Sequence, residues 1–143
     1  MKKRRRKYVA DPNSFAKVIA LTELFNAAEV CEITVSTRDA FDRLVHGGAT
    51  PGHLKRLIDT ANVTLVRCWG NAPLQEIAQA FVNATKRSWE RYERLDKLGL
   101  DGPALADVEW GLQLHEELVR KSTPRQMRDA ALVVEKLRKE AHE

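Results

Sequence analysis

The stretch Glu29-Val30-Cys31-Glu32-Ile33-Thr34-Val35, EVCEITV, is where the fold class of this chain is decided. Cys31, Ile33 and Val35 alternate with Glu32 and Thr34, which is the two-residue period of a half-buried strand. No second stretch offers it a pairing partner, and an isolated strand is not stable in water. EVCEITV is therefore read as an extended linker, or at most an edge strand completed by another chain, within an otherwise all-α protein.

On either side the punctuation is helical. Asp11-Pro12-Asn13-Ser14 supplies N-caps and a first-turn proline, and Phe15, Val18, Ile19, Thr22 and Phe25 follow at helical spacing. Ser36-Thr37-Arg38-Asp39 resembles a capping box opening a short helix through Phe41, Leu44 and Val45, which Gly47-Gly48 stops. Thr50-Pro51 starts the next helix, with Leu54, Leu57, Ile58, Ala61, Leu65 and Cys68 on one face. After the break Gly70-Asn71-Ala72-Pro73 comes the longest helix, with Leu74, Ile77, Ala78, Phe81, Ser88, Tyr92 and Leu95 inward and Trp89 at a flank. On its outer face Glu90–Arg94 and Glu93–Lys97 stand in the favourable order for ion pairs. Leu105, Val108, Leu112, His115 and Val119 mark a fifth helix; Thr123-Pro124 opens a sixth with Met127, Ala130, Ala131, Val134 and Leu137. The expectation is a compact bundle of about six helices joined by short loops, residues 11–143, behind a flexible basic arm, residues 1–10. The two Thr-Pro helix starts are read as one capping chemistry used twice rather than as a duplicated hairpin.

Charge is unevenly placed. The chain has 24 Lys+Arg and 20 Asp+Glu, a net charge of +4. Six of the basic residues are Lys2, Lys3, Arg4, Arg5, Arg6 and Lys7, which leaves 18 basic against 20 acidic residues, a body of net charge −2. Attraction to a polyanion must then come from the arm or from a local patch. The two cysteines, Cys31 and Cys68, make no disulfide framework and are read as reduced, in a cytoplasmic setting. Asp11, Pro12, Lys17 and Glu23 interrupt any signal-peptide core, and no segment approaches the ~18 apolar residues of a membrane span.

The arm Lys2–Lys7 has nothing to bury and is expected to be disordered without a partner. Extended, it spans ~20 Å, enough to follow several phosphates, and Tyr8 would stack on a base or pin the arm's root to the bundle. Nucleic acid, an acidic protein surface and a solvated tail or sorting signal all remain open for it. A second basic cluster, Lys86, Arg87, Arg91 and Arg94, is interleaved with Trp89 and Tyr92, a pattern that suits nucleic acid. Glu90, Glu93 and Asp96 dilute it, which is how a salt-bridged helix surface also reads. Trp110, Leu114 and Leu118 form a second apolar stripe, either bundle core or a protein interface, and the neighbouring Gly111 implies a bend or the close passage of another helix.

Catalytic and metal signatures are missing. No G-x-S-x-G or phosphate-binding glycine loop occurs, and Gly47-Gly48 with Gly52 lacks the Lys-Ser/Thr of a P-loop. His115-Glu116-Glu117 lacks the second histidine of a zinc-protease helix, so His115 is read as a hydrogen-bonded core or boundary residue. Asp39 with Asp42, or Asp107 with Glu116, are carboxylate pairs of the kind any helical protein offers. Cys31, His46, His53 and Cys68 contain no compact ligand pair, and both cysteines fall at positions read as interior. The expectation is a protein that is not an enzyme, with no cofactor and no metal.

MKKRRRKYVADP at the start and NVTLVRCW in the middle resemble a class of small uncharacterised phage and prophage proteins with a KRRKY-type arm before a mostly helical body. The resemblance implies an accessory role in a bacterial cytoplasm, exerted by binding. The partner would be nucleic acid or a nucleoprotein through the arm. Alternatively, a host protein is inhibited or recruited, as anti-defence factors do.

Overall fold

The computed structural model describes residues 23–142. Lys2–Tyr8 and the expected first helix as far as Thr22 lie outside the described residues. Among the described residues there are five helices and no strand: α1 (Ala27–His46), α2 (Pro51–Arg67), α3 (Ala72–Leu95), α4 (Gly102–Lys121) and α5 (Pro124–Ala141). Each start is local chemistry. Asn71, Asp101 and Thr123 accept backbone N–H groups on their side chains, and proline stands in the first turn of α2 to α5. The Thr-Pro starts do share one device. Thr123 N–H donates to Gln126 Oε1 at 2.9 Å, and Thr50 N–H donates to His53 Nδ1 at 2.8 Å.

EVCEITV is helical, which corrects its reading as a linker or strand. Asn26 and Glu29 form a capping box: Glu29 N–H donates to Asn26 Oδ1 at 2.9 Å, and Asn26 N–H donates to Glu29 Oε1 at 3.1 Å. Helix α1 therefore begins ten residues before the Ser36–Asp39 box proposed from sequence. Its threonines satisfy themselves against the preceding turn, Thr34 Oγ1 on the Val30 carbonyl at 2.8 Å and Thr37 Oγ1 on the Thr34 carbonyl at 2.9 Å. Five alternating residues are too few to separate a strand from one flank of a helix. Glu23 to Asn26 precede α1 and are not helical, so Phe25 does not belong to a helix.

Helices α1 to α4 enclose a common core, with α2 touching each of the other four described helices and α5 laid chiefly against α2. The core comprises Ala40, Phe41 and Leu44 of α1, Leu54, Leu57 and Ala61 of α2, Phe81, Val82 and Ala84 of α3, and Ala104, Val108 and Leu112 of α4. Gly111 explains the closest approach. A Cβ there would lie 2.2 Å from the Phe81 ring, so α3 and α4 meet with that fully buried ring seated on the glycine. Three buried hydroxyls are satisfied within their own helices, Thr64 on the Thr60 carbonyl at 2.7 Å, Thr85 on Val82 at 2.9 Å and Ser88 on Ala84 at 2.8 Å, and buried Ser122 accepts from Arg67 Nη2 at 2.9 Å. Small polar residues can then sit at helix crossings without an orphaned group.

Several residues assigned inward face solvent instead. Val45, Leu95, Leu105, Ala131 and Leu137 are exposed, each near the edge of its helix's apolar sector or on the outlying α5. Arg38 of α1 reaches across to α4, its Nε 2.6 Å from Glu116 Oε1 and its Nη1 2.8 Å from Glu109 Oε1. The hydrogen bond to Glu116, helped by Glu109 and opposed by partial burial, raises the guanidinium pKa above its ordinary value.

Candidate binding groove between three helices

Two adjoining hollows open between α2, α3 and α5. The larger, about 590 Å³, is lined by Lys55, Ile58 and Asp59 of α2, Lys86, Trp89 and Glu90 of α3, and Arg138 and His142 at the end of α5. The second, about 330 Å³, shares Lys86 and Arg138 and continues along Asn62, Leu65, Val66, Trp69, Val134 and Leu137. Together they form one groove with an indole in each part and two cations where the parts join.

The side chains are placed by ordinary helix geometry. Lys86, Trp89 and Glu90 lie three and four residues apart and share a face of α3. Trp89 is half-buried against the core, its ring tilted 56° to that of Tyr92 with centroids 5.4 Å apart. Its indole N–H donates to Glu93 Oε1 at 2.5 Å, which fixes the ring plane. Lys55 Nζ stands 5.6 Å from the Trp89 ring centroid, within cation–π range. Asp59 is held by Arg138 Nη2 at 2.7 Å, so this carboxylate is matched by a cation of the groove itself. Lys55, Lys86 and Glu90 make no ion pair within the described residues. Trp69 is half exposed on the turn after α2.

The basic cluster read from sequence is divided by this arrangement. Lys86 and the flanking Trp89 line the groove, whereas Arg87 turns toward α4 and pairs with Asp107 at 3.8 Å. Arg91 and Arg94, one and two turns further along, continue on that side, half-buried and exposed respectively. Tyr92 packs on the core. The expected Glu90–Arg94 and Glu93–Lys97 pairs do not form among the described residues. Sequence reading missed Lys55, Trp69 and Arg138, because nothing in a linear pattern brings residues 55, 69, 86 and 138 together.

The second stripe is divided too. Trp110 is 62% exposed, over a hollow of about 350 Å³ with Glu76, Ile77, Ala80 and Asp107, so it is not bundle core. Leu114 and Leu118 are half-buried. Gly111 resolves in favour of close helix passage.

The remaining candidate chemistry disperses. Cys31 is exposed, contrary to its interior reading, because α1 turns that residue outward; Cys68 is buried, and both are free thiols. Burial, opposed by Arg67, pushes the Cys68 thiol up, which suppresses the reactive thiolate. His53 is used in the α2 cap and His46 is exposed in the last turn of α1. Among the described residues no group of three or more His, Cys, Asp or Glu side chains converges on a metal position. Asp39 pairs with Arg43 at 3.1 Å, Asp107 with Arg87, and Glu116 with Arg38. His115 is buried as expected, but neither ring nitrogen has a hydrogen-bond partner among the described residues, which corrects its reading as hydrogen-bonded. Burial lowers its pKa to about 4, with Glu116 opposing, so the ring is neutral near pH 7. No described helix is long and apolar enough to cross a membrane.

The fold and the groove together define an all-α bundle with a surface cleft. No protein-family model, curated protein or solved structure matches the chain.

Proposed function

We propose that this chain is a non-enzymatic binding protein whose arm, Lys2–Lys7 with Tyr8, engages nucleic acid or a nucleoprotein while the helical bundle supplies a shaped platform. Its resemblance to small phage and prophage proteins makes it an accessory factor of infection or lysogeny, working in the bacterial cytoplasm. The observation that carries the reading is the segregation of charge: six consecutive cations stand on a body of net charge −2. A run that dense is used best against a polyanion, where each phosphate contact releases a condensed counterion. The groove cations Lys55 and Lys86 extend the same chemistry onto the bundle.

Oligonucleotide binding measured against salt tests this. If all six arm residues engage duplex DNA, the log–log slope approaches about −5 and flattens when Lys2–Lys7 are replaced by alanine. Absence of binding by the intact chain at low salt would defeat the reading.

A second reading, a protein–protein inhibitor or adaptor acting on a host protein, rests on Trp110. A largely exposed tryptophan above an apolar hollow, with Leu114 and Leu118 following on the same helix, has the composition of an interface anchor. A pull-down from bacterial lysate distinguishes the two. A host partner that survives nuclease and arm replacement but is lost in Trp110→Ala favours this second reading.

A further inference from the structure

We propose that the groove between α2, α3 and α5 takes two successive nucleotides of an unpaired strand, one base against Trp89, the next against Trp69, and the phosphate between them at Lys86, beside Arg138, whose charge Asp59 already shares. The proposal rests on the nucleic-acid reading above and deepens it, since the arm by itself has no means of telling a single strand from a duplex.

Three features point to this ligand class. First, the two indoles occupy separate parts of one groove, and Lys86 and Arg138 line both parts. Alternating aromatic faces and cations is the pattern that matches a base–phosphate–base repeat. Second, the Trp89 indole N–H is already used by Glu93, so what the residue offers a ligand is its face. Stacking a base there requires one that is not already sandwiched between neighbours, as duplex bases are. Lys55, now over that ring on a flexible stem, can move aside to a phosphate oxygen when a base takes its place. Third, Glu90 stands in the same lining without an ion-pair partner. A carboxylate repels inorganic phosphate but accepts the N–H of a base edge, so its presence favours a nucleobase over a simple anion.

The test uses the full chain carrying Trp110→Phe, so that tryptophan emission reports Trp69 and Trp89. The probes are a 12-nucleotide single strand, the duplex of the same sequence, a mononucleotide and inorganic phosphate. The expected result is saturable quenching by the single strand, with the duplex and the mononucleotide each at least about tenfold weaker and phosphate without effect. Lys55→Glu with Lys86→Glu, both exposed and outside the core, should weaken single-strand binding about tenfold or more while leaving the thermal midpoint in place. Trp69→Leu and Trp89→Leu should each remove part of the quenching and of the strand preference.

Equal affinity for duplex and single strand without quenching would overturn the proposal while leaving the arm reading intact. So would an unaffected charge-reversed variant. A mononucleotide bound as tightly as the strand would assign the groove to free nucleotides and overturn it too. If the intact chain binds no nucleic acid at low salt, both readings fall together.

Discussion

Helices α4 and α5 are close in length, 20 and 18 residues, yet they are held in the molecule very differently. Helix α4 buries Ala104, Val108, Gly111, Leu112, His115 and Val119 and is clamped to α1 by the Arg38 ion pairs. Helix α5 buries Ala130 and leaves Leu132 and Leu137 exposed. One is part of the load of the core; the other is a wall placed against α2. The difference teaches where the packing that holds the fold is concentrated and where the surface is left open. The groove is built at the lightly held edge, where an opening between helices costs little packing, while at Gly111 itself the Phe81 ring fills the space between α3 and α4.

The largest way to sharpen that contrast is pH. His115 has an ordinary pKa of 6.5 and a folded value of about 4, because burial disfavours the charged ring. Below pH 6.5 the unfolded chain takes up a proton that the folded chain refuses until about pH 4. Its stabilising neutrality is therefore complete above 6.5 and is lost as pH falls, by about 3 kcal/mol across the window. Thermal midpoints of the wild type should drop through that range, and His115→Leu should flatten the His115 share of the slope.

Next in size is Gly111→Ala. Helix propensity alone would favour alanine by about 1 kcal/mol, but the new Cβ would overlap the Phe81 ring. Overpacking should win, with a net loss of about 2 kcal/mol in denaturant unfolding. A stabilised variant would show that α3 and α4 are not locked together as described.

Two of the arginines that form ion pairs between helices, Arg38 and Arg138, give a smaller comparison. Arg38 is mostly shielded and serves two glutamates, so Arg38→Ala should cost about 1.5 kcal/mol. Arg138 and Asp59 are each more than half exposed, and Arg138→Ala should change global stability by less than about 0.5 kcal/mol. Its effect should appear locally, as faster amide exchange along α5 than in α2 to α4. Equal protection of all five helices would break the distinction between core and edge.

Much of the architecture was legible beforehand because helix starts and stops are short-range chemistry. Thr50-Pro51 and Thr123-Pro124 each begin a helix where the sequence places one, the break at Gly70–Pro73 falls between α2 and α3, and most of the inward residues expected on α2 and α3 are buried or half-buried. The error at EVCEITV had a local cause as well. Alternation over five residues mimics a strand, while the Asn26–Glu29 box immediately upstream is the local signal that starts the helix. The candidate site was far less legible. Lys86 and Trp89 were recognised as neighbours on one helix, but Arg87, Arg91 and Arg94 were grouped with them although the helix turns those residues to another side.

What the sequence by itself determined is the all-α class, the four helices after Gly47-Gly48, the Thr-Pro caps of α2 and α5, and the concentration of positive charge in Lys2–Lys7. Those follow from propensity, capping and composition, which act over a few residues. Only the tertiary structure decided that Trp110 is exposed, that Phe81 rests on Gly111, and that Lys55, Trp69, Trp89 and Arg138 share one groove. The physical reason is that helices are specified by neighbours along the chain, whereas a groove is specified by which faces of different helices are left after the core has been closed.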